Sequence, residues 1–313
     1  MIQPDTFVID DDMRAALEHD AAFLEQRNFD LLAADGQLAL NDELSLYWSS
    51  EKPPVAFVKS EMIVVADRSI ELRTFFPKGD MTDRYIVWVH GGGWNEGSLD
   101  GYERLMRILA NSARCAVVGI GYTKAPVAQF PTQLNELYSA FQYISKVLFP
   151  DRPCRSVAGY SAGANLIVST LTAYAEELGP DYFQRAGLAC GVYDCDFGLP
   201  SYSRYDNTVL GSSKARLLDI LETYAPGAIS RRDPLVFPVH SHQGVCSDFL
   251  VVYAEHDLLR DDSIKLAESL RDQGKNVMAR QISGVTHIFL QRSMRVSVAY
   301  QTIVDMGKYL SAA

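Results

Sequence analysis

The chain has 313 residues, 48% of them hydrophobic and 22% charged, which is enough apolar material for one large buried core. Its formal net charge of −10 would repel a polyanion over most of the surface. With no Lys/Arg-rich run to argue otherwise, the composition excludes a nucleic-acid partner and favours one main domain plus insertions.

The N-terminal segment carries neither a secretory signal nor a membrane anchor in its composition. Residues 1–20 are acidic where a signal peptide is basic and then apolar, and no apolar run approaches the ~20 residues that a bilayer span needs. We therefore expect a cytoplasmic protein without membrane contact. The five cysteines are odd in number and lack zinc-site spacing, so we expect reduced, buried thiols. No metal or cofactor is expected.

Helical and strand patterns divide the chain. Residues 1–50 are helix-like, with Met13, Leu17 and Leu24 on one face, and strands and helices then alternate from about residue 55 to the end. Short apolar runs predict strands at 84–90, 115–120, 155–160, 187–193, 248–254 and 277–283. This alternation predicts an α/β fold with a mostly parallel sheet and helices on both faces. Residues 196–240 interrupt it, and with 1–50 they are candidates for a cap over one end of the sheet.

The first motif, HGGGW, follows the strand at 84–90. His90 and the glycines at 91–93 would let backbone N–H groups turn toward a ligand, as an oxyanion hole requires. A strained glycine turn and a phosphate-binding loop are the alternatives. A phosphate loop needs Lys followed by Ser or Thr, and a dinucleotide loop needs G-x-G-x-x-G; the segment has neither. The oxyanion interpretation is therefore preferred.

The second motif, GYSAG, places Ser161 between the strand at 155–160 and a helical run. By composition, G-x-S-x-G would arise by chance in roughly one chain in ten of this length, so the motif alone could be an ordinary turn. The strand-turn-helix context is the one that a nucleophile elbow needs, with small residues at Gly159, Ala162 and Gly163. Ser161 is thus a candidate nucleophile.

A serine nucleophile needs a base, and an acid that orients the base. Of the six histidines, His287 follows the last strand in the segment SGVTHIFL, where a loop can reach Ser161. Asp257 sits just past the strand at 248–254 and is the candidate acid, ahead of Glu255. We interpret Asp261 and Asp262 as helix-start residues that satisfy free N–H groups. The pair at His240 and His242 is interpreted as an ordinary loop, not a metal site.

Together the segments HGGGW, GYSAG, AEHDLLRDD and GVTHIF resemble the hormone-sensitive-lipase branch of the α/β-hydrolases, and bacterial acetyl esterases look closest. The resemblance spans roughly residues 60–310. It implies an α/β-hydrolase fold with an eight-stranded sheet and a helical cap, and hydrolysis of carboxylic esters with short acyl chains. The residues that it assigns are the triad Ser161, Asp257 and His287, and an oxyanion hole of Gly91, Gly92, Gly93 and the Ala162 N–H.

The chain departs from the family pattern at three positions. Tyr160 stands where Asp commonly precedes the nucleophile, and Gly121 and Val127 stand where Asp and Glu are common. These departures leave the triad intact but bear on the substrate pocket. Next to the motifs, Trp94 and Tyr160 are the candidate substrate-binding residues.

The resemblance also predicts the domain organisation and suggests alternative functions. It predicts a helical cap segment over 1–50 and a catalytic domain over 51–313 with a cap insertion at about 196–240. The expected partner is a small-molecule ester, and a homodimer is left open. An amidase of arylformamidase type would use the same residues. Relatives that became small-molecule receptors, such as plant gibberellin receptors, have lost the catalytic histidine, so the presence of His287 argues against a receptor.

Overall fold

One eight-stranded sheet forms the centre of the protein in the computed structural model, which describes residues 7–26, 34–152, 155–206, 213–241 and 245–312. The strands are β1 (Phe57–Val65), β2 (Arg68–Phe76), β3 (Tyr85–Val89), β4 (Ala116–Gly121), β5 (Arg155–Tyr160), β6 (Phe183–Ala189), β7 (Cys246–His256) and β8 (Asn276–Thr286). Their spatial order is β1-β2-β4-β3-β5-β6-β7-β8. Strands β3 to β8 run parallel, and β2 pairs antiparallel with both β1 and β4. The predicted mostly parallel α/β architecture is confirmed.

Helices cover both faces of the sheet. They are α1 (Asp11–Glu25), α2 (Ala34–Trp48), α3 (Glu103–Ala113), α4 (Thr132–Tyr143), α5 (Ala162–Ala173), α6 (Ala175–Leu178), α7 (Pro200–Arg204), α8 (Lys214–Tyr224), α9 (Ala228–Arg231), α10 (Arg260–Asp272) and α11 (Ser297–Ser311). A π-helical turn (Ile144–Leu148) extends α4, and 3₁₀ turns lie at Pro238–His240 and Phe289–Arg292. None of the described helices is both long enough and apolar enough to cross a bilayer.

The apolar core is divided by the sheet into two layers. Helices α4, α5 and α10 contribute side chains such as Leu137, Leu171 and Leu266 to the first layer. The second layer receives Leu109 from α3 and Ile303 from α11. Burial on both faces is what near-continuous apolar strands such as β3 and β4 require.

The N-terminal helices pack against the second layer. Met13 of α1 and Leu40 of α2 are fully buried there. Helix α1 begins at a cap in which the Asp10 carboxylate accepts hydrogen bonds from the N–H groups of Asp12 and Met13. The predicted helical character of this segment is confirmed where the structure describes it.

The boundaries of one predicted strand are wrong. The sequence predicts a strand at 187–193, whereas β6 covers Phe183–Ala189. The chain leaves the sheet at Cys190, which has a left-handed φ of 50°. Residues 190–193 are apolar because they are buried beside the site, so apolar character alone did not mark the strand end.

Candidate active site

Ser161 occupies the sharp turn between β5 and α5. Its backbone is left-handed, with φ 54° and ψ −121°, a strained conformation for a residue with a side chain. The turn needs a small residue at Gly163, because a Cβ there would lie 2.2 Å from the Val89 carbonyl oxygen. The predicted strand-turn-helix is therefore present, and it presents the serine at the carboxyl edge of the sheet.

His287 and Asp257 reach Ser161 from the ends of β8 and β7. The Ser161 Oγ lies 3.0 Å from His287 Nε2, and His287 Nδ1 lies 2.8 Å from Asp257 Oδ2. The other carboxylate oxygen, Oδ1, accepts a hydrogen bond from the Leu259 N–H at 2.9 Å. Asp257 is fully buried, so both of its oxygens are fixed. The three residues form one continuous hydrogen-bonded line.

The electrostatic environment in this chain of hydrogen bonds makes the His287 imidazole more basic. Burial by itself would lower the pKa of His287, but the charge of Asp257 and its hydrogen bond outweigh burial and raise the pKa above the usual 6.5. A raised pKa means a stronger proton acceptor in the neutral state. In the neutral form, the bond to Asp257 places the proton on Nδ1 and leaves Nε2 free to accept one from Ser161.

The glycine loop after β3 lies directly beside Ser161. A Cβ built on Gly91 would lie 3.2 Å from the Ser161 Cβ, and Gly92 has a φ of 120° that disfavours a side chain. The Gly92 carbonyl accepts hydrogen bonds from the N–H groups of Asn95 and Glu96. These contacts close the loop into a tight turn. The first N–H groups of α5, beginning with Ala162, have no partner within their own helix.

His90 supports this loop as a neutral side chain. It is buried, and burial lowers its pKa to about 4. Because a carbonyl oxygen can only accept, His90 Nδ1 carries the proton and donates to the Gly91 carbonyl oxygen, 2.8 Å away. The ring stacks on Tyr122 with the ring centroids 4.3 Å apart. His90 belongs to the glycine loop, as predicted, and does not face Ser161 as a second base.

The two predicted substrate-binding residues both line the cavity at Ser161, and each also has a partner in the protein. The Tyr160 hydroxyl donates to the backbone carbonyl of His287, and its ring lies nearly parallel to the imidazole at 5.7 Å. The Trp94 ring stacks on Tyr224 of α8 at 4.6 Å. Tyr160, which replaces the family's Asp, thus holds the loop that carries His287.

Sequence reasoning missed Cys190, which lies beside the acid. Its Sγ, an Asp257 oxygen and a His287 nitrogen lie within 4.8 Å of one another, and they are the one such group of three potential metal ligands among the described residues. Burial raises the pKa of the Cys190 thiol well above its usual value, so it stays protonated and can donate to Asp257. Only its position at the end of a central strand could have indicated this role.

Asp261 and Asp262 lie in the first turn of α10, as predicted, but the N–H groups that they were predicted to bind are not their partners. Neither carboxylate accepts a hydrogen bond from a backbone N–H of its own helix. Asp262 Oδ1 accepts from the N–H groups of Tyr193 and Asp194, and Asp261 accepts from the N–H of Ser201. The acids tie α10 to the segment after β6, because those loop N–H groups are buried and need acceptors. Burial raises the pKa of Asp262 to about 7.

The other histidines and cysteines lie away from Ser161 or outside the described residues. His256 Nε2 bonds the Val8 carbonyl oxygen, and His19 stacks on Tyr47. His242 and Cys154 fall outside the described residues, so the interpretation of the His240–His242 loop stays a prediction. Of the four described cysteines, Cys115, Cys190 and Cys246 are buried, as predicted, whereas Cys195 is only partly buried.

A cavity of about 440 Å³ opens at Ser161. Its volume lies toward the lower end of the range for small-molecule sites. Side chains from both segments that the sequence indicates as a cap contribute to its wall. They are Leu17, Asp20, Ala21 and Leu24 of α1, Asn41, Asp42, Leu44 and Ser45 of α2, and Arg216, Leu217 and Ile220 of α8.

A buried ion pair joins the N-terminal helices to the segment that carries His287. Asp20 Oδ1 accepts a hydrogen bond from the Trp48 indole N–H at 2.7 Å, and Oδ2 accepts one from Arg292 Nε at 2.9 Å. The Arg292 Nη2 atom lies 2.8 Å from the same Oδ2 and completes the ion pair. The Arg292 guanidinium also lies 5.2 Å from the Trp48 ring. We call Asp20, Trp48 and Arg292 the cap latch.

Comparisons with known proteins agree with this fold. The α/β-hydrolase fold family model matches residues 86–291. The chain is 26% identical over 250 residues to an arylesterase of Saccharolobus solfataricus, covering 76% of this chain and 79% of the relative. It is 28% identical over 246 residues to an ethyl acetate hydrolase of Pseudomonas putida, covering 75% and 76%.

Solved structures give the same result at the level of the fold. An α/β-hydrolase enzyme from the metagenome of Lake Arreo, Spain, superposes with a TM-score of 0.87 at 23% identity, covering 97% of this chain and 98% of that one. The family match spans well over half of the chain, and the sheet order and the elbow agree with it. The chain therefore belongs to the α/β-hydrolase fold family, in its hormone-sensitive-lipase-type branch.

Proposed function

We propose that the protein hydrolyses carboxylic esters with short acyl chains, acetyl to butyryl, through an acyl-enzyme on Ser161. The observation that carries this proposal is the hydrogen-bonded line from Ser161 Oγ through His287 to Asp257, with separations of 3.0 and 2.8 Å. The family, and relatives named arylesterase and ethyl acetate hydrolase, support the ester class. The small volume of the cavity supports the short acyl chain.

The proposed mechanism has two acyl transfers. His287 Nε2 takes the hydroxyl proton as Ser161 Oγ attacks the ester carbonyl, and Asp257 holds the imidazole with its other proton on Nδ1. N–H groups of the Gly91–Gly93 loop and of Ala162 stabilise the oxyanion. His287 then protonates the leaving alcohol, the C–O bond breaks, and water attacks the acyl-serine with His287 again as the base. The carboxylic acid leaves and Ser161 is regenerated.

We also propose that residues 1–50 and 196–240 act as a cap that closes the cavity over Ser161. This proposal is supported by the cavity wall, to which α1, α2 and α8 all contribute residues. In this arrangement the cap limits the size of the substrate, and the residues at the carboxyl edge of the sheet carry out the reaction.

Replacing Ser161 by Ala tests the mechanism. Alanine fits the elbow and removes only the hydroxyl, so kcat for p-nitrophenyl acetate should fall by about 10⁶ while the thermal unfolding curve is retained. Ser203→Ala, at an exposed serine of α7, is the matched control and should keep full activity. An organophosphate should label Ser161 alone. Near-normal turnover by the Ser161 variant, or an adduct on another residue, would overturn the serine mechanism; faster cleavage of anilides than of matched esters would favour an amidase.

A further inference from the structure

Three polar side chains from distant parts of the chain meet on the wall of the cavity at Ser161. Asn41 comes from α2, Glu96 from the turn after the glycine loop, and Arg216 from α8. Asn41 Nδ2 donates to Glu96 Oε2 at 2.7 Å, and an Arg216 guanidinium nitrogen lies 3.5 Å from the same oxygen. No feature of the sequence alone brings these residues together.

We propose that Asn41, Glu96 and Arg216 form a subsite that binds a hydroxyl group of the substrate, so that the preferred esters are short and hydroxyl-bearing. This inference rests on the ester hydrolysis proposed above and specifies its substrate class. The hydroxyl belongs either to the alcohol part or to the acyl part of the ester, and the experiment below separates these two sources.

The subsite offers an acceptor and a donor side by side. Within the described residues, Glu96 Oε1 accepts no hydrogen bond, and Glu96 is the one hydrogen-bond and ion-pair partner of the Arg216 guanidinium, which carries five N–H donors. A hydroxyl donates one hydrogen bond and accepts others, so it can satisfy both groups at once. An ammonium group would meet the like charge of Arg216, a carboxylate would meet that of Glu96, and a methyl group would bind neither.

Because the Glu96 carboxylate is largely buried, the polarity of the substrate group that faces it affects selectivity. The Glu96 side chain is 18% exposed, and burial raises the pKa of its carboxyl, against the opposing influence of Asn41 and Arg216. A substrate that fills the cavity removes the water that would otherwise solvate the free oxygen. An apolar substituent then leaves a polar atom unsatisfied, which is costly, whereas a hydroxyl replaces the lost water.

The backbone fixes this subsite relative to the proposed oxyanion hole. The Glu96 N–H donates to the Gly92 carbonyl at 2.8 Å, within the turn that shapes the glycine loop. The Lys124 ammonium also holds the next residue, Gly97, through its carbonyl at 3.0 Å. A hydroxyl bound at Glu96 would therefore fix the position of the ester carbonyl relative to Ser161. Such positioning of the reacting groups raises the rate of the chemical step.

The test compares esters that differ only in a hydroxyl and a methyl group. Ethylene glycol monoacetate against propyl acetate probes the alcohol side, and ethyl β-hydroxybutyrate against ethyl isovalerate probes the acyl side. Each kcat/KM is divided by the alkaline hydrolysis rate of the same ester to remove intrinsic reactivity. In one of the two pairs the wild-type protein should prefer the hydroxylated ester by about tenfold or more, as expected for a hydrogen bond to a charged group.

Variants assign the preference to the subsite. In Glu96→Leu the ratio within the preferred pair should fall to about twofold or less, because the acceptor is lost. Arg216→Met, at a side chain that is 39% exposed, removes the donor and provides a second variant should Glu96→Leu not fold. Glu268→Gln, at an exposed residue of α10, is the control and should keep the wild-type ratio.

Two results would overturn the inference. One is equal normalised rates within both pairs for the wild-type protein; the other is a preference that survives in both Glu96→Leu and Arg216→Met. A faster reaction with a cationic or carboxylate-bearing acetate than with ethylene glycol monoacetate would also contradict it. Failure of the wild-type protein to hydrolyse any of these esters, or p-nitrophenyl acetate, would instead overturn the proposed ester hydrolysis itself.

Discussion

Two carboxylates near the end of β7 have different partners although they are only two residues apart. Asp257 binds His287 Nδ1 at 2.8 Å, whereas Glu255 Oε2 accepts a hydrogen bond from the Gly284 N–H on the neighbouring strand, also at 2.8 Å. Side chains alternate about an extended strand, but β7 and β8 change register between Ala254 and His256, and this irregularity directs Asp257 toward the site. The structure thus provides a matched pair of acids for experiment.

Asp257→Asn should lower kcat for p-nitrophenyl acetate by about 10⁴, because the amide no longer selects the imidazole tautomer that leaves Nε2 free. The reaction needs neutral His287, so wild-type activity falls as pH decreases through a pKa raised above 6.5. Removing the charge and the hydrogen bond of Asp257 lowers that pKa, so the residual activity of the variant should persist to lower pH. Profiles of kcat/KM against pH measure both effects.

Glu255→Gln is the control for this prediction. Its amide oxygen can still accept the Gly284 N–H, so the rate and the acidic limb of the profile should stay close to the wild type. Small and equal effects of the two substitutions would mean that Asp257 is not the acid of the site.

The sequence predicted the residues of short motifs, but it did not predict residues whose partners lie far away along the chain. Ser161 and the glycine loop are marked by their own neighbours in the chain, because the elbow and the turn impose local requirements on residue size. Glu96 carries no such mark, since its partners Asn41 and Arg216 are 55 and 120 positions away. Asp262 was misassigned for the same reason: its partner Tyr193 lies 69 positions away.

Among the elements, the cap latch connects the N-terminal helices to the site. Asp20 lies on α1, Trp48 ends α2, and Arg292 lies in the 3₁₀ turn that begins two residues after His287. The guanidinium is 4% exposed, so it depends on the Asp20 carboxylate for neutralisation. A buried ion pair therefore links the N-terminal helices, which contribute to the cavity wall, to the segment that follows His287.

Asp20→Asn should destabilise the protein and weaken substrate binding. Removing one partner of a buried pair leaves an uncompensated charge and typically costs about 3 to 5 kcal/mol. We expect a lower urea midpoint of unfolding and a higher KM for p-nitrophenyl acetate. Glu18→Gln, an exposed position on the same helix, should change neither. An unchanged midpoint in the Asp20 variant would show that the latch does not hold the helices.

Among the strands, the sequence predicted the parallel ones better than the antiparallel pair β1 and β2 at one edge of the sheet. Strands β3 and β4 are nearly continuous apolar runs because both of their faces are covered. The run pattern did not identify β1 and β2 individually. In β1 buried and exposed residues are mixed, and the apolar residues Met62 and Val64 are largely exposed, so apolar character does not follow burial there.

For the whole molecule, size and charge point to small dispersed esters. The cavity of about 440 Å³ has to accommodate both the acyl and the alcohol parts of the substrate. The net charge of −10 disfavours binding to anionic interfaces. Both properties argue against the long-chain emulsified lipids that a lipase would process at a surface.

The corresponding prediction is a short-chain optimum without activation at an oil-water interface. Across p-nitrophenyl esters of about two to sixteen acyl carbons, kcat/KM should peak at about four carbons or fewer. An open apolar channel would gain about 0.8 kcal/mol per further methylene, whereas we expect the wall that α1, α2 and α8 contribute to the cavity to stop a longer chain. Initial rates on this series, in solution and above the solubility limit, give the measurement. A rate that still rises beyond about eight carbons would contradict the prediction.

The cap latch has one further consequence, which is optical. The protein has three tryptophans, and all of them are shielded from solvent: Trp88 in β3, Trp94 beside the glycine loop, and Trp48 in the latch. The first two belong to the sheet and its loop, whereas Trp48 ends α2 itself, so local separation of the N-terminal helices would expose Trp48 most directly to water. The intrinsic fluorescence of the unlabelled protein therefore reports cap opening directly, as a partial red shift that precedes the larger shift of global unfolding.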